Sequence, residues 1–541
     1  MKQTYKSLIF LTLAFTLLMS LPFLVPHCGL LALFAIVPLL CMEKIASEAG
    51  VRHFWMWHYA CFVLWNAATT FWVCNATIGG GLFAIFANAL QMSLIFGAFR
   101  FSKKYLKGIL PYIFLATCWI AWERFYFDAQ ISWPWLVLGN AFAGSTWAVQ
   151  WYEYTGALGG SLWIWMSNLC IFALMCVLSD GRWNTFNLKA RVAFIAALPL
   201  VLVGPILWSI LSYPDETDED NGESLQVVIA QPNIDPYNKF EAMSQQRQNA
   251  ILLSQIKPQL DGLIRQGDST VLILAPETFT SGITTNDPQS SLTWREFNDF
   301  LQKYPSTVNL LFGASTHTYI ASRTAPSATA RKVRDGYWVE SHNSALMMDR
   351  SGRTEIFHKN KLVVGVEMTP FPKFFCKVDD LLGGVMGRCV GDGEAQVLHF
   401  IGKDAEGVPV GCAICYESVY GEYFSTYVAK GAKAMTVITN DAWWGDTPGY
   451  RQHLNYSRLR AIETRRAIAR CANTGISAII SPSGEIKSRS PWWEPACIVG
   501  QIPLSGKITF FVRYGDVTGR VCTFVFILLL AALAVKFFIR K

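Results

Sequence analysis

The sequence predicts a multi-span α-helical membrane domain joined to an α/β domain that lies in water. Three observations carry this. The chain of 541 residues is 52% hydrophobic and only 16% charged, against about 25% charged in ordinary soluble domains. The apolar excess is concentrated in residues 1–212 and 521–541, whereas 213–520 has globular composition. Within 213–520, short β-branched runs alternate with polar, helix-like stretches, the pattern of an α/β core.

Spanning a bilayer takes about 20 mostly apolar residues. Candidate spans fall at 7–24, 28–42, 53–75, 80–100, 108–127, 160–178 and 191–212, about seven before the water-soluble domain, with one more at 521–539 after it. The alternative for the first run is a signal peptide. It is disfavoured because no small-residue cleavage site follows and another apolar run begins at once.

Short-loop Lys and Arg set orientation. With Lys2 and Lys6 placed in the cytoplasm, the loops on that side hold Lys44 and Arg52, then Arg100, Lys103, Lys104 and Lys107, then Arg182, Lys189 and Arg191, and finally Arg540 and Lys541. The short 76–80 connection, on the other side, has neither residue type. This places 213–520 outside the cytoplasm, in the periplasm of a bacterial cell. Much of the net charge of +7 is then a topology signal. No zinc-finger spacing, helix-turn-helix or basic tail accompanies it, so nucleic acid is excluded as a partner.

Of the 14 cysteines, Cys28, Cys41, Cys61, Cys74, Cys118, Cys170, Cys176 and Cys522 lie in or beside apolar runs, as small packing residues do. The water-soluble domain holds Cys376, Cys389, Cys412, Cys415, Cys471 and Cys497. An oxidising compartment permits disulfides, and Cys376 with Cys389 is the closest plausible pair, left open between bonded and free.

The acidic turn at 215–222 reads as a solvated linker. Strands are expected at Leu225–Gln231, Thr270–Leu274, Leu310–Ala314, Ser344–Met348, Val408–Cys415, Ala434–Thr439 and Ser477–Ser481, and amphipathic helices at 240–265, 292–303, 420–430 and 451–469. About 300 residues suffice for one large domain with its own core.

Three segments place a reactive side chain at a strand end: Glu277 in Leu274-Ala275-Pro276-Glu277-Thr278, Lys359 in Phe357-His358-Lys359-Asn360, and Cys415 in Ile414-Cys415-Tyr416-Glu417. Each alone has an ordinary reading as a cap, a surface lysine or a packing cysteine. Together they form a chemical set. A free thiol titrates near 8.5 and needs a base or a positive neighbour. Glu277 is the candidate general base, and Lys359 the ammonium that favours thiolate and an oxyanion. The Tyr416 N–H is a second candidate oxyanion donor.

Glu, Lys and Cys in this order resemble the nitrilase superfamily. Asn440-Asp441-Ala442-Trp443-Trp444-Gly445, Gln452-His453, Arg458, Arg460-Ala461, Glu463, Ala472-Asn473-Thr474-Gly475, Cys415-Tyr416-Glu417 and, after Glu123, Trp133-Pro134-Trp135-Leu136 resemble its membrane-bound branch, the apolipoprotein N-acyltransferases, over nearly the whole chain. The resemblance implies a nitrilase-like αββα sandwich and an acyl transfer that takes a chain from a phospholipid, through a thioester on Cys415, to the N-terminal amine of a diacylglyceryl-cysteine lipoprotein. It implies a bacterial inner-membrane protein, a monomer, with no cofactor and no metal.

Glu367, eight positions after Lys359, matches a second glutamate of that family, expected to orient Lys359 or the incoming amine; an ordinary loop salt bridge is the alternative. Glu417 carries the same two readings, and Tyr416 is either an acyl-pocket residue or a packed aromatic. Phe240 stands where the family has a tryptophan. Ala275-Pro276-Glu277 replaces the family's Trp-Pro-Glu, and Lys361-Leu362-Val363-Val364-Gly365-Val366-Glu367 lacks its Pro-Phe-Gly.

The stretch 362–386 is very apolar for a loop. It is read as a mobile arm, with Phe374 and Phe375 guiding acyl chains, or else as ordinary burial. A Ser/His/Asp hydrolase is disfavoured because no Gly-Xaa-Ser-Xaa-Gly elbow occurs. His453 reads as structural. The alternatives to acyl transfer between lipids are a membrane-tethered amidase using water, and a transporter or receptor, which would be expected to show paired charges within nearly charge-free spans.

Overall fold

The computed structural model describes residues 2–214, 223–236, 239, 242–268, 270–381, 386–402 and 407–539. The chain forms two compact units. One comprises Met1–Tyr213, Thr447–Asn455 and Tyr514–Lys541, the other Pro214–Asp446 and Tyr456–Arg513.

The first unit is helical. Among the described residues, Gln3–Leu24, Gly29–Glu48, Ile78–Ser102, Tyr152–Ser179, Arg191–Leu211 and Val517–Ile539 are long and apolar enough to cross a membrane. The expected spans at 53–75 and 108–127 also become helices, but they differ in kind. Trp55–Thr70 has 16 residues, about 24 Å at 1.5 Å each, short of a hydrocarbon core about 30 Å thick. Leu110–Asp128 carries Glu123, Arg124 and Asp128. The helices are less free of charge than the sequence reading holds: Glu123 is buried, and Arg124 pairs with Asp516 at 3.0 Å.

Gly29–Glu48 is interrupted where Pro38 lies in the first turn of Val37–Glu48, since proline offers no N–H and disfavours helix before it. Asn168 repairs the break. Its Oδ1 accepts from Ile36 N–H (2.7 Å) and Val37 N–H (3.1 Å), while Nδ2 donates to Ala32 O and Ile164 O, both at 2.8 Å. In an apolar surround each such group left unsatisfied is costly.

Thr447–Asn455 belongs to this helical unit, although it lies far along the sequence in a stretch expected to be globular. Gln452 anchors it: Oε1 accepts from Trp135 Nε1 (2.6 Å) and Trp72 Nε1 (3.2 Å), and Nε2 donates to Thr69 O (3.1 Å) and Phe23 O (3.2 Å). Gly449 lies against Trp72, where a Cβ would come within 2.6 Å of the ring.

The second unit contains two sheets. Its strands are β1 (Ser224–Gln231), β2 (Val271–Leu274), β3 (Thr280–Thr284), β4 (Val308–Ala321), β5 (Arg331–Arg334), β6 (Tyr337–Met348), β7 (Thr354–His358), β8 (Val397–Ile401), β9 (Gly407–Ile414), β10 (Ala434–Thr439), β11 (Ile468–Ala472), β12 (Ala478–Ile480), β13 (Ile486–Arg489) and β14 (Ala496–Pro503). One sheet runs β14-β1-β2-β4-β6-β5, with β3 on β4 and β7 on β6; the other runs β13-β12-β11-β10-β9-β8. The central pairs β1–β2–β4 and β9–β10–β11 are parallel.

Side chains of a strand alternate between its faces, and in β1, β2 and β4 both faces are buried. Val228, Val271, Ile273, Leu310 and Phe312 join a core with Leu252, Ile256 and Leu260 of helix Gln245–Arg265 and Phe297 and Phe300 of helix Leu292–Leu301. Behind the opposite face, the Cys471 thiol of β11 reaches the Ala230 carbonyl of β1 at 3.2 Å, so the sheets meet face to face. Strands buried on both sides read as continuous apolar runs, which is why those runs were legible.

Every expected strand forms. The expected helix 451–469 is corrected: it spans Pro448–Thr464, and Ile468–Ala472 becomes central strand β11, fully buried. Cys376 and Cys389 are both free thiols. Phe240 lies outside the described residues, as do 382–385 of the apolar arm.

Candidate active site

The expected reactive residues come together at strand ends. Glu277 follows β2, Lys359 follows β7 and Cys415 follows β9.

Glu277 is buried and fully engaged. Its Oε1 accepts from Asn343 Nδ2 (2.7 Å) and Lys359 Nζ (3.1 Å), and its Oε2 from Asn440 N–H (3.1 Å). The turn carrying it lies against Gly313 of β4, where a Cβ would sit 2.5 Å from the Glu277 Cα. Only a residue without a side chain permits that approach.

Lys359 is 1% exposed. Its Nζ also donates to Glu367 Oε1 at 2.8 Å, and its N–H donates to Asn343 O at 2.8 Å. Burial alone would depress the ammonium, but the carboxylates of Glu277 and Glu367 outweigh burial and hold it charged, well above the usual lysine value. Glu367 is therefore drawn to the buried lysine, and its other oxygen accepts from Val363 N–H at 2.8 Å.

Cys415 sits at φ +51°, a left-handed conformation uncommon for a side-chain-bearing residue and a mark of a turn under constraint. The chain passes there from β9 into the short helix Cys415–Val419. Burial pushes the thiol well above its ordinary value, Glu277 and Asp441 push the same way, and Lys359 opposes them. A thiol in this setting needs a base to become a nucleophile.

Glu417 makes no loop salt bridge among the described residues. It is wholly buried and accepts from Ile414 N–H (2.9 Å), Asn360 N–H (2.8 Å), Tyr427 OH (3.1 Å) and Tyr423 OH (3.0 Å). One carboxylate thus ties the end of the thiol's strand to the residue after Lys359. Tyr416 is buried and packs edge-on against Tyr420 at 5.1 Å.

The apolar arm contains helix Pro372–Leu381. Phe374 is 64% and Phe375 39% exposed, in edge-to-face contact at 5.0 Å, so ordinary burial does not describe these two, whereas Cys376 and Asp379 of the same helix are buried. The arm's inner side is held by Arg388, which pairs with Asp379 at 2.7 Å and Asp380 at 2.5 Å.

Sequence reasoning missed Asn343, whose single amide nitrogen bridges Glu277 and Glu367, both at 2.7 Å. A polar residue at the head of the apolar run Ser344–Met348 was the available signal. It also gave no role to Asp441, whose carboxylate lies within 4.8 Å of the Cys415 sulfur and pairs with Arg470.

A thiol, a carboxylate and an ammonium at the ends of β9, β2 and β7 make the kind of site expected of a carbon–nitrogen hydrolase, and similar proteins agree. The family described as "Carbon-nitrogen hydrolase" matches residues 227–507, over half the chain, and "Apolipoprotein N-acyltransferase N-terminal domain" matches 15–170. A Chlorobaculum tepidum protein named apolipoprotein N-acyltransferase is 28% identical, over 92% of this chain and 90% of its own. One of that name from Geobacter metallireducens is 24% identical, over 93% and 91%. Among solved structures, Saccharomyces cerevisiae Nit3, a member of branch 10 of the nitrilase superfamily, aligns over 52% of this chain and 90% of its own, with 15% identity and a TM-score of 0.35. The chain belongs to the carbon–nitrogen hydrolase superfamily and, within it, to the apolipoprotein N-acyltransferase family. It is an acyltransferase.

Proposed function

We propose that this enzyme transfers an acyl chain from a phospholipid to the N-terminal amine of a diacylated lipoprotein in two covalent steps. The observation that carries this reading is the shared hydrogen-bonded cluster of Glu277 and Lys359, whose charges both act on the Cys415 thiol.

In the first step Glu277 takes the thiol proton as sulfur attacks the ester carbonyl. The resulting oxyanion is stabilised by the Lys359 ammonium and the Tyr416 N–H. The intermediate collapses to a thioester, and the lysophospholipid leaves as an alcohol, carrying the proton from Glu277. In the second step the α-amine of a diacylglyceryl-cysteine attacks the thioester, Glu277 accepts its proton, and the thiolate departs. Glu367, with Asn343, keeps Lys359 and Glu277 in register, and Glu417 holds the Lys359 loop to the thiol's strand. Tyr416 shapes the acyl pocket, and the exposed Phe374 and Phe375 receive lipid. The layout follows the composition: a membrane bundle at 1–212, the catalytic domain at 213–520 facing the periplasm, and a final span at 521–541 in the inner membrane.

The test is intact mass spectrometry of the full-length protein after incubation with phospholipid alone. An acyl-sized adduct is expected in the wild type and absent in Cys415→Ala. No adduct in either would overturn the two-step scheme. Discharge of the adduct to water as fast as to a diacylated lipopeptide would favour the amidase reading.

A further inference from the structure

A second buried lysine lies against the Glu277 turn. Lys239 follows β1, and its N–H donates to Asp235 O at 2.8 Å. Its side chain is buried, and Nζ donates to the carbonyl of Thr278. Gln248 secures it from behind, Nε2 donating to Lys239 O at 2.9 Å.

Thr278 is itself unusual. It has φ +45°, a left-handed conformation that a β-branched residue adopts only under constraint. Such strain persists only where the surroundings over-determine it. The over-determining contacts are Gly313 on one side, whose N–H donates to Pro276 O at 3.1 Å, and the Lys239 ammonium at the Thr278 carbonyl.

We propose that Lys239 is a positioning residue for acyl transfer: its ammonium clamps the Thr278 carbonyl, holds the strained turn that carries Glu277, and offsets the Glu277 charge. This rests on the reading of Glu277 as the base. The clamp depends on protonation. Burial depresses Lys239 to about 8, against the pull of Glu277. Glu277 faces it from the β2 turn, with Lys359 and Glu367 in the same hydrogen-bonded cluster, while Gln248 presents a neutral amide from helix Gln245–Arg265. As pH rises through that value the charge is lost, and the turn keeps at most a neutral hydrogen bond.

The experiment is single-turnover acylation of the full-length enzyme by dioleoyl phosphatidylethanolamine in mixed micelles, read by intact mass from about pH 6 to about pH 10. Lys239→Met is expected to slow acylation at saturating lipid by about tenfold or more and to leave the half-saturating lipid concentration nearly unchanged. Lys239→Arg keeps the charge, so it is expected to move the alkaline fall in rate upward; this carries the test if Lys239→Met fails to fold. Wild-type rate and pH profile in both variants would overturn the clamp, as would a loss that only tracks the unfolded fraction seen by circular dichroism. Glu277→Gln separates the two readings. Acylation retained there sinks the base assignment. Acylation abolished there, with Lys239 variants unaltered, sinks the clamp alone.

Discussion

Arg470 Nη2 donates to Asp441 Oδ2 at 2.8 Å, with neither side chain exposed. Arg470 lies on β11 and Asp441 just past β10, and Thr439 Oγ1 adds a 2.7 Å bond to the same carboxylate. The pair offsets part of the negative charge that Asp441 places beside the thiol. Breaking a buried pair from one side leaves an uncompensated charge, at about 3–5 kcal/mol. Arg470→Met is therefore expected to lower the thermal midpoint sharply, and Arg470→Met combined with Asp441→Asn to recover part of the loss. Additive losses in that double-mutant cycle would show that the pair is not coupled.

Thiol reactivity should follow the charges around Cys415. Because burial holds its thiol high and Lys359 alone of the named charges pulls it down, carbamidomethylation of Cys415 is expected to accelerate as pH rises past neutrality. Lys359→Met should shift that rise to still higher pH and slow acylation by about 100-fold or more, the order seen when one oxyanion donor is lost. Peptide mapping after timed alkylation reads the first effect, and the intact-mass assay the second.

His358 precedes Lys359 and stacks on His342 at 4.0 Å, with Nδ1 2.7 Å from Ser344 Oγ. Burial, aided by His342, pushes His358 down to about 4, below the unfolded value of about 6.5. Between those values the unfolded chain binds more protons at this site than the folded one, so stability rises with pH there. It is complete above about 6.5 and falls as acid takes the pH toward 4. Melting temperatures across that window should drop on acidification in the wild type and flatten in His358→Gln; parallel curves would refute the linkage.

In the helical unit Gln452 satisfies two indole donors and two backbone carbonyls at once. Gln452→Leu removes all four bonds, although Trp72 Nε1 keeps its own 3.1 Å bond to Thr69 O, and the cost is about 1–3 kcal/mol for each group left unsatisfied. The expected outcome is a lower unfolding temperature in detergent, while Gln452→Glu, which keeps acceptors but loses donors, should fall between. Equal stability of Gln452→Leu and wild type would show that the anchor contributes nothing.

Much of the fold was legible because its central strands are buried on both faces and so appear as unbroken apolar runs. The principal reactive residues were legible because their chemistry is rare at strand ends. Edge strands such as β5, exposed throughout, carry no such signal. The expected helix ran on to residue 469, into the start of β11, because nothing local opposes it there; Ile468–Ala472 is a strand because β10 offers a parallel partner, Met435 against Ile468 through Thr439 against Ala472. The role of Asn343 was not legible for a like reason: its polarity at the head of an apolar run is local, but its two carboxylate partners come from other segments.

By itself the sequence determined where the chain is apolar, which side chains can act as nucleophile, base and cation, and the family they resemble. Hydrophobic patterning and side-chain chemistry are properties of single residues and their near neighbours. Only the tertiary structure decided that Asn343 joins Glu277 to Glu367, that Arg470 pairs with Asp441 beside the thiol, that Lys239 braces the Glu277 turn, and that Thr447–Asn455 packs among apolar helices. Hydrogen bonds and ion pairs between residues far apart in the chain are made only once folding brings the partners together, and no local pattern records them.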